Sequence, residues 1–417
     1  MTTPRPLNTE VESRAAELRE ALVQRLRQQG FVRSDRVADA FTAVKRHWFA
    51  PEGTPLEQVY AADETVVIKQ DGDGVIISSI SAPFIQAQMI EQAEIGPGSS
   101  VLEIGSGGYN AALLTEVVGA QGRVVSVDID PEVTDRASVL LDAAGYGSRV
   151  TVVLADAEHG VPACEPFDAL VVTVGAWDIP PAWLKQLAAD GRLVVPLRMN
   201  GITRSIGFRR EGDHLVSTSA EVCGFVAMQG DGEHSDRIFR LPDGRGHHIG
   251  LRFDSGAPQD PGLLDGVLAT ERTTVWSGVT TEHGVSFADL HLWFASFLPG
   301  FCQVTADDGT DLAGERGTWF PYGVVRKNAF AYLVVRPALE GRGAEFGACA
   351  YGLPAAAQEA AAAMVEQIQE WDCRARSGPA PTFAFWPNGS DPARIPKDAV
   401  VLPKAHGLVT ISWPGMS

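Results

Sequence analysis

Val11, Ala15, Leu18, Leu22 and Leu26 recur three and four residues apart, which predicts an amphipathic helix beginning near Thr9. Thr9 and Glu12 have the spacing of a capping box at its start. Val37, Phe41 and Val44 share one face of a second predicted helix after Ser34. From Arg46 to Val67 no period dominates, and the chain reads as irregular with short extended pieces. Pro83 suits the first turn of a helix, where a missing N–H costs nothing, and a helix is predicted over 83–93. Short apolar runs then alternate with helical periods. Strands are predicted over 101–104, 123–127, 150–154, 169–174 and 192–196, and helices over 111–118, 131–144 and 181–188. Continuous apolar strands between helices imply a parallel sheet covered on both faces. Residues 205–210 and 214–219 predict an antiparallel hairpin around Glu211-Gly212-Asp213.

The pattern changes at Gly230-Asp231-Gly232-Glu233, a break marked by its turn residues. Beyond it come strand-like pieces over 273–276, 323–325 and 331–335, and an Ala-rich helix over 355–376 led by Pro354 and followed by Gly378. The expected organisation is N-terminal helices and a leading segment over 1–78, a nucleotide-binding core over 79–233 and an α+β extension over 234–417. Within the extension Trp276, Trp293, Phe294, Trp319, Phe320 and Tyr322 either form a gripping surface or fill its core. Its histidines His247, His248, His283 and His291 fit no metal-ligand spacing.

Composition narrows the partners. The 417 residues are 45% apolar and 21% charged, enough for a sizeable core. A net charge of −18 argues against nucleic acid, which needs a basic footprint, and suits a cationic protein or peptide. Cys164, Cys223, Cys302, Cys349 and Cys373 form no CxxC pair, so neither a zinc site nor a disulfide framework is expected. The charged N-terminus does not resemble a signal peptide, and no apolar run is long enough to span a membrane. A cytoplasmic protein is the expectation.

The chemistry gathers between Ser79 and Asp130. Val101-Leu102-Glu103-Ile104-Gly105-Ser106-Gly107-Gly108 reads as a buried strand running into a glycine turn, where missing side chains let backbone approach a ligand. It lacks both the full GxGxxG pattern and a GK[ST] ending, which disfavours a triphosphate loop. Asp128 ends the next strand, where a carboxylate can accept both ribose hydroxyls. Asp156, after the third strand, can accept from an adenine amino group. Glu103, an acid within an apolar strand, needs partners and is expected to accept from the glycine turn or from the cofactor. Together these point to S-adenosylmethionine, which carries a ribose but no pyrophosphate.

Residues from about Arg46 to Met228 resemble protein-L-isoaspartate (D-aspartate) O-methyltransferases. The resemblance rests on Arg46-His47-Trp48-Phe49-Ala50-Pro51, Tyr60-Ala61-Ala62-Asp63, Ser79-Ile80-Ser81-Ala82-Pro83, the glycine turn with Tyr109, Val174-Gly175-Ala176 and Gly191-Arg192-Leu193-Val194-Val195-Pro196. It implies a Rossmann-like class I methyltransferase sheet and a conversion of S-adenosyl-L-methionine to S-adenosyl-L-homocysteine. It also implies a peptide substrate whose carboxylate is oriented by the Ser81 hydroxyl; the other reading of Ser81 is a cap for the helix at Pro83. Ser79, Tyr109, Asn110, Ile129, Ala157 and Val174 are implied around the cofactor beside Glu103, Gly105, Ser106, Gly107, Asp128 and Asp156. Two departures stand out: the glycine turn is one residue shorter than the family's usual one, and residues 234–417 extend past its repair enzymes. Both are similar to the FxLD-type branch, which modifies ribosomally made peptides. The expectation is therefore methylation of an aspartate in a precursor peptide, basic or ring-constrained, whose ester closes to an aspartimide. Repair of isoaspartate in damaged proteins is the alternative.

Overall fold

A computed structural model describes residues 9–161, 166–260, 262–315, 317–338 and 343–415; Cys164 lies outside them. The chain opens with α1 (Thr9–Gln28), α2 (Asp35–Ala43) and the short α3 (Leu56–Val59). Ser34 caps α2 by accepting the N–H of Val37. The expected box on α1 is not the role Glu12 takes. Its carboxylate accepts from Lys45 (2.9 Å), His47 (3.1 Å) and the Trp48 indole (3.0 Å), tying α1 to the segment after α2.

The stretch before Pro83 holds a hairpin that the pattern did not predict: β1 (Val66–Gln70) pairs antiparallel with β2 (Ile76–Ile80). Next come α4 (Pro83–Gln92), β3 (Ser100–Ile104), α5 (Tyr109–Val118), β4 (Arg123–Asp128), α6 (Pro131–Ala143), β5 (Val150–Leu154), β6 (Phe167–Val172), α7 (Pro181–Gln186), β7 (Leu187–Met199), β8 (Ile202–Glu211) and β9 (His214–Val222). β3 pairs in parallel with β4 on one side and β6 on the other, and β5 flanks β4. The chain thus leaves β3 in one direction and returns on its other side. The C-terminal ends of β3, β4 and β6 surround a topological switch point, where open α/β sheets bind ligands.

The expected extension over 234–417 divides. Seven strands between Arg237 and Tyr351 form a second, antiparallel sheet, with Ala288–Phe297 and Pro354–Arg374 as its main helices. Thr382–Pro387, Val400–Pro403 and Gly407–Ser412 instead return to the first sheet. Thr382–Pro387 pairs with β9, making ten strands in all. A boundary at 233 therefore does not separate two sheets by sequence, because the outer edge of the first is built from the end of the chain. One hydrophobic core runs through both, joining Leu197, Met199 and Ile202 of the first to Trp293, Phe294 and Phe301 of the second. Trp293 and Phe294 are core residues; Trp276, Trp319, Phe320 and Tyr322 are half-buried.

Candidate functional site

The glycine turn begins where β3 ends. Gly105 has φ +97, and a Cβ there would stand 2.5 Å from Thr173 Oγ1, so only glycine fits. A Cβ at Gly107 would make ordinary contacts only, with the Ser79 carbonyl at 3.8 Å and Ile68 at 3.9 Å. Gly108 leads directly into α5. Asp128, at the end of β4, accepts the N–H of Ser106 (2.8 Å) on one oxygen and that of Asp130 (2.9 Å) on the other. Burial raises its carboxyl above the usual range, against those hydrogen bonds.

Gly105, Ser106, Gly107 and Asp128 line a cleft of about 430 Å³, with Asp63, Ser79, Ser81, Phe84, Thr173, Val174 and Phe225 on its other walls. Seven expected residues therefore meet in one place: Ser79, Ser81, Gly105, Ser106, Gly107, Asp128 and Val174. Ser81 does not cap α4. The cap position is Ala82, and no side chain caps that helix. The Ser81 carbonyl accepts from Arg46 (2.9 Å), while its hydroxyl makes no hydrogen bond among the described residues.

Six expected residues take other positions. Tyr109 is 1% exposed and packs between Phe41 and Phe49, because the first turn of α5 faces the N-terminal helices. Glu103 is fully buried and accepts from Asn110 Nδ2 (2.8 Å) and from the Ser126 hydroxyl, its neighbour across the β3–β4 pairing. Ser126 also reaches Ser106 Oγ at 2.9 Å, so Glu103 and Asn110 support the glycine turn from beneath. Desolvation pushes the Glu103 carboxyl up to about 7. Asp156 spends its oxygens on the N–H groups of Glu158 and Asp231, at 2.9 and 2.8 Å. The Ala157 carbonyl accepts from the Trp183 indole (2.7 Å). Ile129 is 37% exposed and lies beyond the cleft lining.

Arg46 is a buried charge beside the site that hydrophobic periodicity and the glycine turn leave unmarked. It is 0% exposed, and its guanidinium lies 4.9 Å from the centre of the Tyr109 ring. Its position in Arg46-His47-Trp48-Phe49-Ala50-Pro51, ahead of the serine motif, was the available signal.

The sequence profile of protein-L-isoaspartate(D-aspartate) O-methyltransferases matches residues 17–233, which include every one of these positions. The chain belongs to this family. A protein-L-isoaspartate O-methyltransferase of Methanopyrus kandleri is 41% identical over 180 residues, 43% of this chain and 76% of that one. Its namesake in Staphylothermus marinus is 36% identical over 229 residues, 53% of this chain and 98% of that one. A solved protein-L-isoaspartate O-methyltransferase, 22% identical, aligns with 88% of this chain and 96% of its own at a TM-score of 0.48. The curated relatives overturn the expectation of a branch that forms aspartimide in natural-product peptides: they are named isoaspartate methyltransferases and are matched along most of their length. The shortened turn does not argue otherwise, since Gly105–Gly108 still delivers Ser106 to Asp128.

The enzyme is an S-adenosylmethionine-dependent O-methyltransferase acting on a protein or peptide. The cleft fits that cofactor: Asp128 offers a carboxylate with lone pairs to spare, and Gly105–Gly107 leaves bare backbone beside it. Asp156 stands outside the lining of this cleft, at the end of the neighbouring strand.

Proposed function

We propose that the enzyme methylates the free carboxylate of isoaspartyl residues in damaged proteins. The observation that carries this reading is the Ser81 hydroxyl, without a hydrogen-bond partner among the described residues, on the wall of the cleft that holds the glycine turn and Asp128, inside the stretch the family profile matches. The named relatives support the choice of isoaspartate.

S-adenosylmethionine supplies an electrophilic methyl on a sulfonium sulfur. Asp128 would hold the ribose, and the bare backbone at Gly107 would admit the methionine portion. The substrate carboxylate is ionised at neutral pH, its ordinary pKa being about 4, so no general base is required. Ser81 donates one neutral hydrogen bond to one carboxylate oxygen and leaves the other free to attack. Ile77, Phe84 and Phe225 give the cleft apolar walls beside it, and the gain comes from placement and partial desolvation.

The test compares methyl transfer to two peptides of one sequence, carrying either isoaspartate or ordinary aspartate. We expect kcat/KM to favour isoaspartate by about 100-fold or more. Equal or better use of the ordinary aspartate would overturn the reading.

A further inference from the structure

We propose that Arg46 is a positioning residue for methyl transfer, holding the turn that presents the Ser81 hydroxyl to the cleft. This rests on the role given to Ser81 above.

The guanidinium donates to four neutral acceptors from three segments. Nε reaches the Val59 carbonyl at 2.8 Å, and Nη1 reaches Gln86 Oε1 at 2.8 Å in the first turns of α4. Nη2 reaches the Ser81 carbonyl at 2.9 Å and the Ile80 carbonyl at 3.4 Å. A buried cation hydrogen-bonded only to neutral groups is costly to desolvate. Burial lowers its pKa to about 10, which leaves it charged at neutral pH.

What the arginine supplies is geometry. Its planar fork donates in several fixed directions at once, which a lysine cannot match. Both carbonyls at the Ser81 turn face the arginine, while Ser79 and Ser81 line the cleft. α4 has no side-chain cap, and its entry is fixed by the fork together with the Phe84 N–H, which donates to the Ala62 carbonyl at 3.0 Å. The same group stacks on Tyr109, the residue after Gly108. One side chain thereby stands between the serine turn and the glycine turn and sets their spacing. That assigns Tyr109 a place in the site although it does not touch the cleft.

The experiment is a double-mutant cycle of Arg46→Lys and Ser81→Ala in the full chain, assayed on an isoaspartyl peptide. Arg46→Lys is expected to lower kcat by about 3-fold or more, the value of a misplaced neutral hydrogen bond. KM for the peptide and the affinity for S-adenosylhomocysteine should stay within about 2-fold, since a positioning role acts on turnover. In the Ser81→Ala background the same change should cost no further turnover. Should Arg46→Lys fail to fold, Gln86→Met removes one acceptor only and should show a smaller loss with the same non-additivity. Losses that multiply, or full turnover in the Arg46→Lys or Gln86→Met protein while Ser81→Ala is impaired, overturn the proposal alone. Full turnover in Ser81→Ala overturns the reading of Ser81 and this proposal with it.

Discussion

Asp128 accepts the backbone N–H of Ser106 at 2.8 Å. That bond links the acid ending β4 to the glycine turn that follows β3, so one carboxylate both shapes the turn and lines the cleft. Asp128→Ala removes both functions. Affinity for S-adenosylhomocysteine should fall about 10- to 100-fold, the loss of roughly 1.5–3 kcal/mol for a hydrogen bond to a charged group. Titration calorimetry reads it directly, and unchanged affinity would place the ribose elsewhere.

Ser81→Ala should leave the melting temperature unaltered, because Ser81 caps nothing. Turnover on an isoaspartyl peptide should fall about 3- to 10-fold with cofactor affinity intact, as one neutral hydrogen bond predicts. Steady-state kinetics beside a thermal melt separates the two.

Glu103 carries a pH signature. Its carboxyl is pushed up from 4.5 to about 7 by desolvation, so the folded protein holds this proton more tightly than the unfolded chain. The stabilisation is fully present below about pH 4.5 and is lost as pH rises through about 7. Glu103→Gln mimics the protonated form and should flatten this slope. Thermal melts should show the variant near wild type at about pH 5 and relatively more stable at about pH 8. A larger deficit at the higher pH would contradict the burial argument.

Deleting residues 379–417 should abolish the folded methyltransferase rather than trim an appendage. Phe383, Phe385, Val409 and Ile411 are each 0–1% exposed in the shared core, worth on the order of 1.5–3 kcal/mol apiece. Size-exclusion chromatography and near-ultraviolet circular dichroism should show aggregated or loosely packed protein. A monodisperse, active truncation would refute this.

The central sheet was legible because its strands are continuous apolar runs between helical periods, and Gly105 and Asp128 sit at strand ends where chemistry gathers. Tyr109 was misread because adjacency in a motif says nothing of direction: one residue past Gly108 the helix has turned its first side chain toward Phe41 and Phe49. The hairpin of β1 and β2 escaped because its alternation is weak, with exposed Ile76 and half-buried Ser78 and Ser79 in one short strand. Phe383 and Phe385 mark a strand without naming its neighbour, and the pairing with Leu215 and Val216 of β9 is set by burial across a long separation. Asp156 follows a strand end as its position suggests, but its contact with the N–H of Asp231 joins it to a distant turn that the local pattern does not show.

The order of strands in the first sheet also dictates an order of events in synthesis. Ser217 on β9 waits 166 residues for Phe383, its hydrogen-bonding partner on the neighbouring strand. Until then a growing chain carries an open sheet edge, a template to which any extended segment can add. The second sheet is made during that interval, and the last strands close the edge only after it has emerged.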